Sequence, residues 1–129
     1  MTNQDLIRRF ESDSVSDVPF HHADHVHLAF AYLSEYPALD ALKKFSSALK
    51  KFAAARDKPR LYNETITCAY FFLIRERMAR LQVAEWEEFC CANPDLLTWK
   101  NGILSRYYRE ETLQSDLARQ VFILPDKCQ

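Results

Sequence analysis

The side chains best suited to chemistry in this sequence are its histidines, because all four lie between residues 20 and 27. Imidazole titrates near neutral pH and is the commonest protein ligand for metal ions. His22 and His25 are spaced so that both lie on one face of a helix, one turn apart. His27 points away from that face, and His21 lies at or before the start of the helix. We therefore expect one inward-facing pair of imidazoles and not a site built from all the histidines.

A metal ion is the first interpretation of this pair. Two imidazoles on one helix need a further ligand from elsewhere in the fold before they form a metal site. Glu64 supplies that ligand if the start of its own helix lies beside the start of the histidine helix. The predicted metal set is therefore His22, His25 and Glu64, a mixture of imidazole and carboxylate that suits zinc, iron or manganese. With an open coordination position, such an ion activates water or polarises a carbonyl group.

Two other interpretations use the same residues. In the first, His22 and His25 are structural and hydrogen-bond to Glu64, Thr67 or a tyrosine, while Asp24 only interacts with the helix dipole. In the second, these side chains line a metal-free pocket that binds a small polar ligand or transfers a proton. The sequence leaves all three interpretations open, and it identifies neither a ligand nor a reaction.

Composition predicts an all-α fold for the elements that must position these residues. The 129-residue chain contains one glycine, Gly102, whereas β-hairpins and nucleotide-binding loops rely on glycine. We expect a flexible N-terminal arm over 1–19 with a short helix, a single bundle domain of about five to seven helices over 20–126, and a tail over 127–129. A helix over 64–80 is apolar on nearly every side, which places it in the centre of the bundle.

Capping patterns predict several helix ends. Asn63 is expected to cap the start of the central helix through its side-chain oxygen. Asp95 is expected to cap a short helix over 96–101, and Gly102 is expected to follow the end of that helix. A last helix is expected over 113–121.

Charge and apolar patterning argue against two classes of partner. The net charge of −1 gives no overall field for nucleic acid, and we interpret the lysine stripe on the helix over 38–56 as a solvated surface. The longest apolar run, over 69–74, is too short to span a membrane, and the N-terminus lacks the order of a secretory signal. The four cysteines show neither C-x-x-C spacing nor a disulfide framework, which predicts a reduced, cytoplasmic protein.

A non-catalytic interaction or structural protein is the alternative class of function. Val26, Phe30 and Leu33 lie off the main apolar stripe of the histidine helix. If they form an exposed hydrophobic surface, they favour a homodimer. In that case the histidines are packed polar residues.

Three patterns in the chain resemble a family of small, uncharacterised bacterial all-α proteins, to which no established activity is attached. The patterns are Phe20-x-His22-x-Asp24-His25, Tyr62-x-Glu64-Thr65-x-Thr67, and a tail with Tyr107-Tyr108, Ala118-Arg119, Phe122 and Pro125-Asp126. Where relatives often have a histidine between the tyrosine and the glutamate, this chain has Asn63. The resemblance therefore implies that a three-histidine arrangement is broken here, and it makes Arg119 and Asp126 candidates for tying down the C-terminus or contacting a ligand. The candidate ligand-binding residues are then His22, Asp24, His25, Tyr62, Glu64, Thr67 and Arg119.

Overall fold

The computed structural model of the chain describes residues 2–12, 20–99 and 102–127. Within these ranges the chain forms eight α-helices and two short 3-10 helices, with no strand, in a single bundle. The α-helices are α1 (Asn3–Ser12), α2 (His22–Glu35), α3 (Ala38–Ala55), α4 (Glu64–Leu81), α5 (Trp86–Ala92), α6 (Pro94–Leu97), α7 (Glu110–Leu113) and α8 (Asp116–Gln120). The 3-10 helices span Pro59–Leu61 and Ile103–Arg106. The predicted all-α helical bundle is confirmed.

Two helices, α2 and α4, form the centre of the bundle. All five residues of α2 from Leu28 to Tyr32 are buried, so this part of the helix is surrounded by other elements. Helix α2 packs against α1, α3, α4 and α6. The predicted helix over 64–80 is α4, which contributes Phe71 and Ile74 to the core and packs against α2, α3 and α8. Its burial is not complete on all sides, because Phe72 is 42% exposed.

Helix α1 packs on the bundle instead of projecting from it as an arm. Ile7 is buried in the main core, and the Phe10 ring lies 5.1 Å from the Phe52 ring of α3. The hydroxyl of the fully buried Tyr32 donates to Glu11 Oε1 at 2.7 Å. The short helix expected near the N-terminus is therefore part of the core, while residues 13–19 of the expected arm lie outside the described residues.

Side-chain caps fix the starts of α2 and α4. Asn63 Oδ1 accepts a hydrogen bond from the Ile66 N–H at 2.9 Å, which confirms the predicted cap of α4. At the start of α2, the Asp24 carboxylate turns back and accepts from the His21 N–H at 2.9 Å. Asp24 therefore satisfies a free backbone donor of its own helix.

The connection after α5 differs from the prediction. Helix α6 begins at Pro94 and ends at Leu97, and Asn93 occupies its N-cap position. Asp95 does not cap a helix here, since its carboxylate pairs with Arg77 at 2.9 Å and links this connection to α4. A guanidinium that holds two carboxylate oxygens makes a stronger bond than a single cap does.

Gly102 precedes the second 3-10 helix and does not end a helix in the left-handed conformation, as its φ of −70° shows. Its lack of a side chain has another reason. A Cβ at this position would lie 2.7 Å from the Thr98 carbonyl oxygen and 3.0 Å from the Tyr70 hydroxyl. Close approach of neighbouring atoms, and not backbone strain, accounts for the only glycine in the chain.

The predicted helix over 113–121 is divided into α7 and α8. The segment after α8 runs across the start of α4, where the Thr65 hydroxyl donates to the Val121 carbonyl and accepts from the Ile123 N–H. Asp126 then accepts from the Arg109 N–H at 3.1 Å and from the Thr112 hydroxyl. Asp126 therefore has the first of its two expected roles, which is to tie down the C-terminal segment.

Val26 and Phe30 do not form an exposed hydrophobic surface on α2. Val26 and Phe30 are 1% and 0% exposed, because Trp86 and Phe89 of α5 cover Phe30. The homodimer that this surface was taken to favour stays a prediction without that support. Among the described residues, no helix combines the length and the apolar character needed to cross a membrane.

Candidate ligand-binding cavity

A cavity of about 490 Å³ lies at the start of α2, between α3, α4 and the 3-10 helix at Pro59–Leu61. Apolar and aromatic side chains make up most of its wall. They are Phe20, Val26, Phe45, Leu49, Phe52, Ala53, Leu61, Ile66, Ile74, Trp99 and Leu113. The polar members of the lining are His22, His25, Arg60, Tyr62, Asn63, Thr67, Tyr70, Gln114 and Arg119. Mostly apolar walls with a few polar groups are typical of small-molecule sites.

His25 is the most chemically distinctive residue of the wall. Its ring lies 4.4 Å from the Phe20 ring, and no side chain or backbone group of the described residues hydrogen-bonds to it. Burial lowers the pKa of His25 to about 4, repulsion by His22 adds to this effect, and attraction to Asp24 opposes it. At neutral pH the imidazole is therefore uncharged, with one nitrogen that donates and one that accepts.

His22 faces the same cavity but has a fixed partner. Its Nε2 lies 2.8 Å from the Leu96 carbonyl oxygen, which can only accept, so Nε2 carries the hydrogen. The ring also contacts Tyr70 edge-on at 4.7 Å and Trp99 at 5.1 Å. Burial lowers the pKa of His22, and its bond to Leu96 partly counters that effect. His22 therefore joins α2 to α6 and leaves only Nδ1 for other interactions.

Tyr62 and Thr67 line the cavity, whereas Glu64 does not. The Tyr62 hydroxyl donates to Glu64 Oε1, so the carboxylate is paired with its near neighbour in sequence. Burial, together with this bond, raises the pKa of Tyr62 well above its usual range. The Lys50 ammonium lies 5.2 Å from the centre of the Tyr62 ring and adds a cation–π contact.

The metal set predicted from the sequence is not assembled. Within 2–12, 20–99 and 102–127, no three His, Cys, Asp or Glu side chains lie close enough to hold one ion. His22 commits one ring nitrogen to Leu96, and Glu64 is bonded to Tyr62 outside the cavity lining. The donor groups on the cavity wall therefore do not fit a resident zinc, iron or manganese ion.

Arg119 is the residue that the resemblance made a candidate for tying down the C-terminus or contacting a ligand. It lines the cavity together with Arg60, and both guanidinium groups approach Asp116 Oδ1, at 3.4 Å for Arg119 and 2.5 Å for Arg60. Arg119 Nη1 also donates to the Gln114 carbonyl at 2.6 Å. We call Arg60 and Arg119 together the arginine rim.

The structure brings together His22, His25, Tyr62, Thr67 and Arg119 on one cavity wall, and it leaves out Asp24 and Glu64. Sequence reasoning missed Arg60, Tyr70 and Trp99. None of these three carries a local signal, because each reaches the cavity only through the packing of distant segments. The remaining histidines lie elsewhere: His21 is exposed, and His27 stacks on Trp86 with the ring centres 4.2 Å apart.

Comparison with known proteins identifies no relative of this chain. No protein-family model matches the chain, and no curated protein and no solved structure matches it either.

Proposed function

We propose that this protein binds a small molecule with a flat apolar body and a polar group in the cavity beside α2. The observation that carries the proposal is His25, a neutral imidazole on the wall of an apolar cavity with no hydrogen-bond partner among the described residues. His25 is only partly buried, and its ring nitrogens are accessible from the cavity. A ligand that enters the cavity can hydrogen-bond to this ring in place of water.

The size and the wall of the cavity support this proposal. Its volume of about 490 Å³ falls within the range of roughly 300–1,000 Å³ that is usual for small-ligand sites. The rings of Phe20, Phe52, Tyr70 and Trp99 all lie on the wall. Aromatic pairs in stacked or edge-to-face geometry contribute about 0.5–1.5 kcal/mol beyond the burial of their area. A ligand with an aromatic body therefore matches the cavity better than a polar one of equal size.

The polar groups would orient such a ligand. The His25 ring can donate or accept a hydrogen bond, and the Thr67 hydroxyl on the facing helix can do both. Tyr70 adds a further hydroxyl, and burial raises its pKa to about 12, so that it stays protonated at neutral pH. A ligand with an amide, hydroxyl or carboxyl group beside an aromatic ring can use these groups while its ring is buried.

The test is calorimetric titration with 1-naphthaleneacetamide, a neutral probe that combines an aromatic body with one polar group. We expect saturable binding with a stoichiometry of one. Ile66→Trp places a larger side chain in the cavity wall and should abolish binding, whereas Phe72→Trp, on the exposed side of the same helix, should leave it unchanged.

His25→Leu keeps an apolar wall but removes the hydrogen-bonding ring, and it should weaken binding about five- to tenfold, as expected for one lost hydrogen bond. Circular dichroism of each variant checks that the helical content is retained. Absence of saturable binding at about 1 mM, the weak limit of specific recognition, would overturn the proposal. Binding that Ile66→Trp leaves intact would place the ligand elsewhere and would overturn it as well.

A further inference from the structure

We infer that the ligand of this cavity is an aromatic carboxylate, held by its carboxyl group at the arginine rim. This inference rests on the proposed function, because it names the chemical class of the molecule that the cavity binds. It starts from the charges on the wall. Arg60 and Arg119 are the charged side chains among the lining residues, and no Asp or Glu of the described chain lies in the lining.

The arginine rim already holds a carboxylate. Arg60 Nη2 and Arg119 Nη1 both approach the same oxygen, Asp116 Oδ1, at 2.5 and 3.4 Å. Two guanidinium groups face one carboxylate, so the rim keeps an excess of one positive charge. A second carboxylate, brought by a ligand, would balance that charge and match the planar geometry of guanidinium.

Arg119 is the better anchor of the two. Its side chain is 26% exposed, against 74% for Arg60, and its Nη1 is fixed by the Gln114 carbonyl at 2.6 Å. A partly buried, fixed guanidinium loses little freedom on binding, and its charge is less screened by water than that of an exposed one. Arg60, by contrast, can move from Asp116 to the ligand at the surface. The rest of the molecule would then lie along the aromatic wall.

The charges on the cavity wall favour an anionic ligand over a cationic or a neutral one. A cationic ligand would meet two arginines and no acidic partner on the lining, which disfavours it. A neutral ligand would use His25 and Thr67 but would gain nothing from the rim. An anion with an aromatic body places its charged group at the arginine rim and its ring against the aromatic side chains of the wall.

The experiment compares 1-naphthaleneacetate with 1-naphthaleneacetamide, which have nearly the same shape and differ in charge. Calorimetric titrations near neutral pH give the dissociation constants of both probes for the 129-residue chain. We expect the acetate to bind about tenfold more tightly, and salt to reduce this preference. Asp116→Asn removes the internal competitor for the rim and should tighten acetate binding severalfold without changing amide binding.

Arg119→Gln should abolish the preference for the acetate, measured as the ratio of the dissociation constants of the two probes. Arg119→Lys keeps the charge and should retain part of the preference, and Arg75→Gln, which removes an exposed arginine on α4 outside the lining, is the matched control. Equal affinity for the two probes would overturn the inference and leave the proposed function standing. An acetate preference that survives in Arg119→Gln would also overturn it. Failure of both probes to bind would instead overturn the proposed function.

Discussion

At the scale of single residues, two histidines of one helical turn have different environments. His22 and His25 both face inward, as their spacing predicts, and burial lowers the pKa of both. His22 bonds to a backbone carbonyl of α6, so its ring is a structural link. His25 packs beside Phe20 without such a bond and lines the cavity. His22 is therefore structural, although its partner is the Leu96 carbonyl and not the predicted Glu64, Thr67 or tyrosine. His25 lies on the cavity wall, and its role there is part of the proposed function.

The lowered pKa of His25 makes stability depend on pH. Its pKa is about 4 in the folded state against 6.5 for an unperturbed histidine, so the unfolded chain binds more protons between these values. The free energy of unfolding should therefore fall as the pH drops from 6.5 to 4, by about 3 kcal/mol from this residue. His22 and His27, whose pKa values are also lowered, act in the same direction.

Urea denaturation of wild type and His25→Gln, followed by circular dichroism across this pH range, measures the effect. The variant cannot titrate at position 25, so its stability should decline less steeply with acid. His21→Gln is the control, because the His21 ring is exposed at the start of α2. Parallel pH profiles for wild type and His25→Gln would show that burial of His25 does not govern the acid response.

At the scale of elements, the Arg77 side chain connects α4 to the α5–α6 junction. The Arg77 guanidinium donates to Asn93 Oδ1 at 2.7 Å and to both oxygens of Asp95 at 3.1 and 2.9 Å. Asn93 is 1% exposed, and its amide nitrogen donates to the Phe89 carbonyl. Arg77 therefore satisfies a buried polar group and a carboxylate at the same time.

Arg77→Met should lower the free energy of unfolding by about 2 kcal/mol, because it leaves Asn93 Oδ1 buried without its partner. Arg80→Met is a matched control on the same helix. Arg80 pairs with Glu76 at 2.8 Å, but its side chain is 72% exposed, so the loss should stay below about 1 kcal/mol. Thermal and urea denaturation of both variants give the comparison, and equal losses would contradict the role assigned to Arg77.

Sequence periodicity predicted the elements better than their contacts. The single glycine is a property of the whole composition, and the cap at Asn63 is a local signal that depends on residues no more than about one turn apart. The bond from His22 to Leu96 joins residues 74 positions apart, and no local pattern contains it. Asp95 was misassigned for the same reason, because a first-turn acid resembles a cap until Arg77 is placed beside it.

For the candidate site, too, the sequence indicated residues but not their contacts. His22, His25 and Thr67 were candidates from residue type and spacing, Tyr62 and Arg119 were candidates from the resemblance, and all five line one cavity. The partner expected for the histidines was wrong in position, since Glu64 turns to Tyr62. The start of a helix is set by its cap, but the direction of its first carboxylate is set by the nearest donor. Tyr62 lies only two residues before Glu64, but residue spacing alone does not show which of several neighbouring groups the carboxylate contacts.

At the scale of the whole molecule, α1 closes the same end of the bundle that holds the cavity. Phe10 lies 4.9 Å from Phe20 and 5.1 Å from Phe52, and both of these rings line the cavity. Phe20 in turn contacts His25 at 4.4 Å. Packing of α1 on α2 and α3 thus supports the aromatic wall from outside.

Two substitutions on α1 should distinguish its contribution to folding stability from its contribution to ligand affinity. Ile7→Ala removes a core side chain that is 5% exposed and should lower the free energy of unfolding by about 2–4 kcal/mol. Phe10→Ala removes the ring behind Phe20 and Phe52, so it should weaken binding of 1-naphthaleneacetate about tenfold besides reducing stability. Gln4→Ala, at an exposed position of the same helix, should change neither quantity.

Denaturation and calorimetric titration of the three variants under conditions where each is folded give both quantities. The expected pattern is a loss of stability in Ile7→Ala with affinity close to that of the wild type, and a loss of both in Phe10→Ala. Ile7 contributes to the main core but is not part of the cavity lining, whereas Phe10 contacts two rings that are. If Phe10→Ala kept full affinity, the aromatic wall would be rigid without α1, and this helix would serve stability alone.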